Sequence, residues 1–214
     1  MPRRPDDPGG PDRDAALAQY RQRAQVYDFE LALLEPLRTE AIAALALRPG
    51  DVVLDVGCGT GLSLPGLMRA IGTGGRIIGI EQSPEMIERA RQRVVDQGWT
   101  QVSLQCSPVE SAAIDVQGDA ALFHFTHDIL RRGDAIANVL RGLKPGARVV
   151  ASGLKWAPPG LGWGMNLFVL PAALRSVTSL QGMGRPWSLL QEQLGPMRVQ
   201  QRLMGGAYLA SGTR

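Results

Sequence analysis

The stretch Val53-Leu54-Asp55-Val56-Gly57-Cys58-Gly59-Thr60-Gly61 decides the fold of this chain. Its first four residues form an apolar run interrupted only by Asp55, as is typical of a strand buried in a parallel sheet. Three alternating glycines then predict a turn, and the apolar segment at about 62–71 predicts a helix. Glycine suits such a turn because it allows the backbone to turn tightly and to approach a ligand closely. The start of the following helix offers free N–H groups and a positive dipole end to an anionic group.

Strands and helices alternate along much of the chain on either side of this turn. Further strands are predicted at 76–80, 101–105, 120–125 and 148–152. Helices are predicted at about 29–47, where Pro36 is expected to kink or split the helix, and at about 84–97 and 134–143. This alternation indicates βαβ units and a parallel sheet. Two strands around Gly205-Gly206, at 197–203 and 207–210, predict a terminal hairpin.

The predicted fold class is therefore α/β, a Rossmann-like doubly wound sheet that is mostly parallel and ends in an antiparallel C-terminal hairpin. The 214 residues suit one domain. Residues 1–13 are rich in Pro, Gly, Asp and Arg and are expected to form a disordered tail, which leaves 14–214 as the domain. Residues 155–195 are rich in Gly, Pro, Trp and Leu. We expect them to form an insertion on the substrate side, over the carboxyl edge of the sheet.

Composition excludes several classes of protein. The two cysteines, Cys58 and Cys106, cannot form a disulfide framework, and no spacing suggests a metal site. The sequence shows no secretory signal and no apolar run long enough to span a bilayer, so a cytoplasmic location is expected. Residues 131–214 carry 11 basic and 2 acidic side chains. This basic part is either a solvated face or a site for an anionic partner or a peripheral membrane contact, and no nucleic-acid partner is expected.

The spacing of the glycines and a second acidic residue narrow the choice of ligand. A dinucleotide-binding turn has the pattern GxGxxG, whereas Gly57, Gly59 and Gly61 follow GxGxG. Glu81 ends the second predicted strand, where a carboxylate can accept hydrogen bonds from two ribose hydroxyls. Together with Asp55, this pattern favours S-adenosylmethionine (SAM) over NAD as the cofactor.

The segment Asp55–Gly61 resembles motif I of the class I SAM-dependent methyltransferases. Gly79–Met86 is similar to their second motif, and Leu143–Gly146 is similar to the turn before their fifth strand. The resemblance covers roughly residues 20–155. It implies that the chain binds SAM and transfers its methyl group to a small-molecule or lipid acceptor.

The resemblance also implies roles for individual residues. Asp55 would place the amino group of SAM, Glu81 would bind its ribose, and Gln82 and Met86 would flank its adenine. The backbone of the turn would hold the methionine end, through Gly57, Cys58, Gly59 and Gly61. Ser107 stands where the family often has an acidic residue that binds the adenine amino group. Ser107 and Val109, or backbone groups near them, are expected to serve instead.

Side chains for the acceptor are predicted near the end of the fourth strand and in the insertion. His124 and His127 follow that strand, and each either acts as a general base or positions substrate, or is a packing or hydrogen-bonding residue. Tyr20 and Tyr27 share a helix face that either closes over SAM or packs on the domain. Trp156 and Trp163 either line an apolar acceptor pocket or pack the insertion onto the core.

The sequence thus favours a SAM-dependent methyltransferase whose acceptor is apolar or amphipathic, such as a phospholipid head group or a quinone-like ring. A SAM-binding protein without methyl transfer, regulatory or structural, is the alternative. An NAD-dependent oxidoreductase is disfavoured by the glycine spacing.

Overall fold

The computed structural model describes residues 34–160 and 162–214, except for the side chains of Arg175 and Ser176. In this part of the chain, seven strands form one sheet in the order β3-β2-β1-β4-β5-β7-β6. The strands are β1 (Val52–Val56), β2 (Arg76–Glu81), β3 (Val102–Cys106), β4 (Gly118–His124), β5 (Leu143–Leu154), β6 (Arg198–Arg202) and β7 (Ala207–Thr213). The α-helices are α1 (Glu35–Ala44), α2 (Leu64–Ile71), α3 (Pro84–Asp96), α4 (His127–Leu130), α5 (Gly133–Arg141), α6 (Asn166–Ser176) and α7 (Ser188–Leu194).

The sheet confirms the predicted fold class. The first five strands pair in parallel, and β7 runs antiparallel to both of its neighbours, β5 and β6. Only antiparallel strands can be joined by a short turn, and the 3-10 turn Leu203–Gly205 joins β6 to β7. The strand order reverses between β1 and β4, which is where open α/β sheets form a ligand crevice.

The core lies on both faces of the sheet because successive residues of a strand point to opposite sides. Val53 of β1 packs in a cluster with Leu45, which follows α1, and with Leu67 of α2. Leu54 packs on the other face in a cluster with Ile136 of α5 and Leu190 of α7. Helices on both faces make the sheet doubly wound, as the alternating pattern predicts.

Several predicted boundaries differ from the structure. Pro36 lies in the first turn of α1, so it neither kinks nor splits the described helix. The first-turn N–H groups have no partner within a helix, so proline is tolerated there. β5 begins at Leu143 and takes in the predicted turn at Lys144-Pro145-Gly146. β4 ends at His124, because Phe125 leaves the strand with a φ of 57°. The predicted tail at 1–13 lies outside the described residues.

The insertion at 155–195 contains α6, α7 and the 3-10 turn Trp163–Met165. It is tied to the segment that follows β4, since His127 Nε2 lies 2.9 Å from the Gln181 carbonyl oxygen and Thr178 N donates to Asp128 Oδ2 at 3.1 Å. A small cluster of Val169, Ala173 and Met183 forms its own core. These contacts place the insertion beside the carboxyl ends of β4 and β5.

Candidate active site

The glycine turn after β1 is packed on one side and open on the other. Gly57, Gly59 and Gly61 all have positive φ, at 69°, 55° and 80°. The N–H groups of Gly57 and Cys58 donate to the Ile80 carbonyl at 2.8 and 3.0 Å, which fixes the turn to β2. A Cβ on Gly57 would lie 2.6 Å from Thr126 Cγ2, whereas a Cβ on Gly59 would meet nothing within 4 Å among the described residues. The backbone of Gly59 is therefore the part of the turn that a ligand can approach.

Glu81 joins this turn to the helix that follows β2. Its Oε2 accepts from the Gly59 N–H at 3.1 Å, and its Oε1 accepts from the Ser83 N–H at 2.8 Å. Ser83 in turn caps α3 by accepting from the Met86 N–H. Burial raises the pKa of Glu81 above its ordinary value, and the backbone N–H groups oppose that rise. Each oxygen keeps a further lone pair, so the carboxylate can still accept hydrogen bonds from two hydroxyls.

Asp55 lies in a pocket with Arg38 and His124, beside the glycine turn. The free volume of this pocket is about 30 Å³. Asp55 is only 2% exposed, and its Oδ2 has no hydrogen-bond partner within the described part of the chain. Burial raises the pKa of Asp55 to about 7, with the Arg38 charge opposing and the Glu81 charge adding to the shift. A buried carboxylate with an unused oxygen is well placed to bind a cationic ligand group.

Sequence reasoning missed Arg38. It is 3% exposed on α1, where its guanidinium pairs with Glu35, and its Nε lacks a partner among the residues described. The sequence does indicate that Arg38 is buried, because Arg38 lies at helical spacing on the same face as the apolar residues Leu34, Leu37 and Ala41. A charged residue on such a stripe must be paired or functional, since burying an isolated charge is costly.

The residues predicted to hold the adenine lie together at the carboxyl ends of β2 and β3. Ser107 N donates to the Glu81 carbonyl at 3.0 Å, which brings the two strand ends side by side. Met86 and Val109 are buried there, and Gln82 is half-buried. The Ser107 hydroxyl donates to the Pro108 carbonyl at 3.1 Å. Their contact with adenine remains a prediction.

Cys58 is a packing residue of the turn. It is buried, and its Sγ would lie 2.9 Å from a Cβ added to Gly79 of β2. Burial raises the pKa of the thiol well above its ordinary value. A thiol that resists ionisation is a poor nucleophile.

The two histidines lie in different pockets. His124 ends β4 in the pocket of Asp55, and its Nδ1 lies 2.7 Å from Ser152 Oγ. His127 begins α4 and lines a second cavity beneath the insertion. Phe125 lines both pockets and so forms the wall between them. Phe125 adopts its left-handed backbone at this wall, the kind of strain that often marks functional sites.

The environments of the histidines also differ. Burial, helped by the Arg38 charge, lowers the pKa of His124 to about 3, so this ring takes up protons poorly. His127 Nε2 lies 2.9 Å from the Gln181 carbonyl oxygen, which can only accept, so Nε2 carries the hydrogen. The His127 Nδ1 therefore presents a lone pair, and it is buried with no partner in the described residues.

The cavity of His127 is mostly apolar. It lies under α6, at the ends of β4 and β5, and its free volume is about 20 Å³. The side chains and backbone that line it include Thr126, His127, Leu154, Ala173, Met183 and Tyr208. Thr126 Oγ1 is a second buried polar atom without a partner among the described residues.

The tryptophans predicted to contact the acceptor, Trp156 and Trp163, lie outside the second cavity. Trp156 packs against the small cluster of the insertion, and Trp163 is 62% exposed. Neither is among the residues that line the second cavity. Trp156 thus packs within the insertion, and most of the Trp163 side chain is exposed to solvent. The contact of either residue with an acceptor stays a prediction. Tyr20 and Tyr27 lie outside the described residues.

Comparison with known proteins gives a family match that spans the glycine turn. Residues 53–146, which contain the glycine turn, Asp55 and Glu81, match the family model described as a methyltransferase domain. Residues 53–146 are therefore similar to a methyltransferase domain over a little less than half of the chain. A solved structure with the same fold is the N-methyltransferase NodS of Bradyrhizobium japonicum in complex with S-adenosyl-L-homocysteine, with a TM-score of 0.65 and 16% identity. That alignment covers 92% of this chain and 97% of NodS.

Two curated relatives share sequence with the methyltransferase domain. A 37.1 kDa protein in transposon TN4556 of Streptomyces fradiae is 38% identical over 117 residues, which are 53% of this chain and 33% of the relative. A ubiquinone biosynthesis O-methyltransferase of Xanthomonas campestris is 30% identical over 151 residues, which are 69% of this chain and 61% of the relative. The chain thus spans from one third to about three fifths of the length of these relatives.

No helix within the described residues is long and apolar enough to cross a membrane. The same part of the chain contains no group of three His, Cys, Asp or Glu side chains that could hold a metal ion.

Proposed function

We propose that this chain is a SAM-dependent methyltransferase that methylates a small acceptor held beneath the insertion. The observation that carries the proposal is the unused Oδ2 of buried Asp55, which lies beside the open backbone of Gly59. The methyltransferase domain matched over residues 53–146 supports it.

The residues of the first pocket fit the polar groups of SAM. The Asp55 carboxylate would accept a hydrogen bond from the ammonium of the methionine end, and the buried Arg38 guanidinium would attract its carboxylate. The free lone pairs of Glu81 would accept from the ribose hydroxyls. Gln82, Met86, Ser107 and Val109 surround the space beyond Glu81, where adenine would lie.

The chain's own contribution to the reaction would be alignment and the exclusion of water. SAM supplies an activated methyl group on a sulfonium. Phe125 and Thr126 place the second cavity directly against the glycine turn, as the close approach of Thr126 to Gly57 shows. Holding an acceptor in this position would supply much of the barrier reduction by proximity and orientation.

The chemical class of the methyl acceptor is the more specific part of the proposal. A phospholipid head group and a quinone-like ring are the two classes suggested by the apolar, basic C-terminal part of the sequence. The mostly apolar lining of the second cavity supports an apolar acceptor group. The relative named as a ubiquinone biosynthesis O-methyltransferase is consistent with the ring class.

Ligand binding followed by turnover tests the proposal. SAM and S-adenosylhomocysteine should raise the melting temperature of the purified chain, and NAD should not. At a ligand concentration of about 100 times Kd, stabilisation is roughly 2.7 kcal/mol. For a domain of this size, this is a shift of roughly 5–10 °C. The absence of any shift with SAM would reject the site.

Labelled methyl transfer from SAM into a cell lysate then separates the enzyme from the non-catalytic alternative. The lysate is split afterwards into lipid, aqueous, protein and nucleic-acid fractions. Label in the lipid fraction would support the apolar acceptor, and label in another fraction would identify a different acceptor class. Binding of SAM with no labelled product would favour the regulatory or structural role.

A further inference from the structure

A groove over the last strands of the sheet gathers basic side chains from the C-terminal part of the chain, which the proposed function does not use. Its free volume is about 450 Å³, within the range of roughly 300–1,000 Å³ that is typical of small-molecule sites. Two arginines line it, Arg148 of β5 and Arg198 of β6, together with Gln200, Ser211 and Thr213. No Asp or Glu is among the described residues that line it. The groove is therefore a basic surface with room for a ligand.

The register of the strands places both arginines on one face of the sheet, on either side of the middle strand β7. Arg148 pairs with Thr213, and Arg198 pairs with Ser211. Paired residues of neighbouring strands point to the same face, and so do residues two apart along one strand. Two strand spacings and two residues along the strand therefore separate the arginine backbones, a distance of roughly 12 Å. The side chains of Ser211 and Thr213 lie between them.

The charges of these two arginines are not neutralised within the described part of the chain. Neither guanidinium has an ion pair or a hydrogen bond there, whereas the neighbouring Arg202 of β6 pairs with Glu40 of α1 at 2.6 Å. Arg202 also donates to Gln200 Oε1 at 2.6 Å, which leaves the amide NH2 of Gln200 as a donor. Guanidinium, hydroxyl and amide groups without a carboxylate are a donor set that suits an oxyanion.

The groove lies away from the cofactor pocket. Arg148 pairs with Ala120 near the beginning of β4, whereas the cofactor pocket lies at the other end of that strand, where His124 pairs with Ser152. Four residues of β5 separate Arg148 from Ser152, a distance of roughly 13 Å along the strand. A ligand in the groove would therefore not occupy the place of SAM.

We propose that this groove is a second binding site and that it takes a chain of two or more phosphates, either free or carried by a nucleotide. Arginines rooted roughly 12 Å apart can each hold a separate phosphate through a bidentate contact. The hydroxyls of Ser211 and Thr213 and the amide of Gln200 would donate to the oxygens between these two phosphates. This site goes beyond the methyl transfer reaction and does not depend on it.

Calorimetric titration of the full chain with sodium tripolyphosphate tests the site, with and without saturating S-adenosylhomocysteine. We expect saturable binding in both cases, and weaker binding at high salt because the attraction is between charges. Arg148→Gln and Arg198→Gln should each weaken binding roughly tenfold, since each removes a charge-assisted contact. Arg69→Gln is the matched control, because Arg69 is exposed on α2 and does not line the groove. It should leave the affinity unchanged.

Thr213→Glu blocks the site without removing an arginine. Thr213 is exposed on β7, and a glutamate there would lie opposite Arg148, a pairing of charges that favours the sheet. This variant should stay folded and lose tripolyphosphate binding, because the new carboxylate neutralises Arg148 and repels the anion. Titration with ATP at saturating S-adenosylhomocysteine identifies the source of the phosphates. Tighter binding of ATP than of tripolyphosphate indicates a nucleotide, and equal or weaker binding indicates a free polyphosphate.

Four results would overturn this inference. An absence of saturable binding, or an equal loss in Arg69→Gln, would show that the groove is only a solvated basic face. Displacement of tripolyphosphate by S-adenosylhomocysteine would place the anion in the cofactor pocket, and full binding by Thr213→Glu would place it elsewhere on the surface. None of these results bears on the proposed function, which is tested by binding and turnover of SAM.

Discussion

Asp55 shows how a single residue combines a binding role with an energetic cost. It lies within a buried strand, so its pKa of about 7 is far above that of a solvated carboxylate. The fold therefore holds a carboxyl group that is only partly ionised at neutral pH. A cationic ligand group at its unused oxygen would stabilise the charged form.

This pKa predicts a pH dependence of SAM binding. Only the ionised Asp55 attracts the ammonium of the ligand, so affinity should fall by up to about tenfold for each pH unit below 7. Calorimetric titration between pH 5.5 and 8.5 would measure this. Asp55→Asn should bind SAM weakly at every pH, with no dependence near pH 7. A flat profile for the wild type would place the carboxylate outside the binding site.

The same residue predicts a gain in stability when its charge is removed. The folded-state pKa is raised, so ionisation opposes folding. The free energy of unfolding should therefore increase as the pH falls from 8 toward 5. At pH 8, Asp55→Asn should raise the free energy of unfolding by up to about 4 kcal/mol, because the amide carries no charge to desolvate. Urea denaturation of both proteins at pH 8 and 5 measures this, and the difference should shrink at pH 5.

The glycine turn shows how packing against a neighbouring segment restricts the residue at one position. Gly57 is confined by Thr126 and Ile129 of the segment around α4, whereas Gly59 faces open space. Both have positive φ, so alanine is strained at either position. Only at Gly57 does the added methyl group also displace the segment that separates the two pockets.

We therefore expect the two glycine substitutions to differ in their effect on stability. Gly57→Ala should lower the free energy of unfolding by roughly 2–4 kcal/mol through strain and overpacking. Gly59→Ala should cost only about 1–2 kcal/mol and yet weaken SAM binding, since its methyl group would project where the ligand approaches. Urea denaturation and calorimetry on both variants would measure these effects. Equal stability of the two variants would contradict the packing described at Gly57.

At the scale of the whole molecule, apolar side chains on the insertion remain exposed. Leu167, Leu170 and Leu174 of α6 are 76%, 41% and 59% exposed. The sequence from 135 to 191 contains no acidic residue. This combination keeps the peripheral membrane contact suggested by the sequence as a prediction, with an anionic lipid surface as the partner.

Vesicle co-sedimentation tests this contact. The chain should sediment with phosphatidylglycerol vesicles more than with phosphatidylcholine vesicles, and high salt should reduce the difference. Leu167→Glu combined with Leu174→Glu should abolish sedimentation. Val95→Glu is a matched control, because Val95 is 73% exposed on α3, outside the insertion. Equal loss in the control would attribute the effect to added charge alone.

Much of the fold follows from local pattern. A buried parallel strand appears in the sequence as a continuous apolar run, which made β1 predictable. The spacing of the glycines indicated a turn whose backbone needs positive φ. The position of Glu81 at the end of the second such strand was predictable in the same way. The helices within 155–195 were not predicted, because glycine, proline and tryptophan mask the helical period there. The role of Arg38 was missed for a related reason: its burial depends on how α1 packs on the sheet.

The sequence by itself determined the doubly wound sheet and the cofactor motif, since both are written in residues close together along the chain. Only the tertiary structure decided where the two histidines lie, because His124 and His127 are three residues apart and yet line separate pockets. The left-handed turn at Phe125 separates them, and the distant Gln181 fixes which nitrogen of His127 carries the hydrogen. Such roles depend on contacts between residues more than 50 positions apart, which local sequence patterns do not encode.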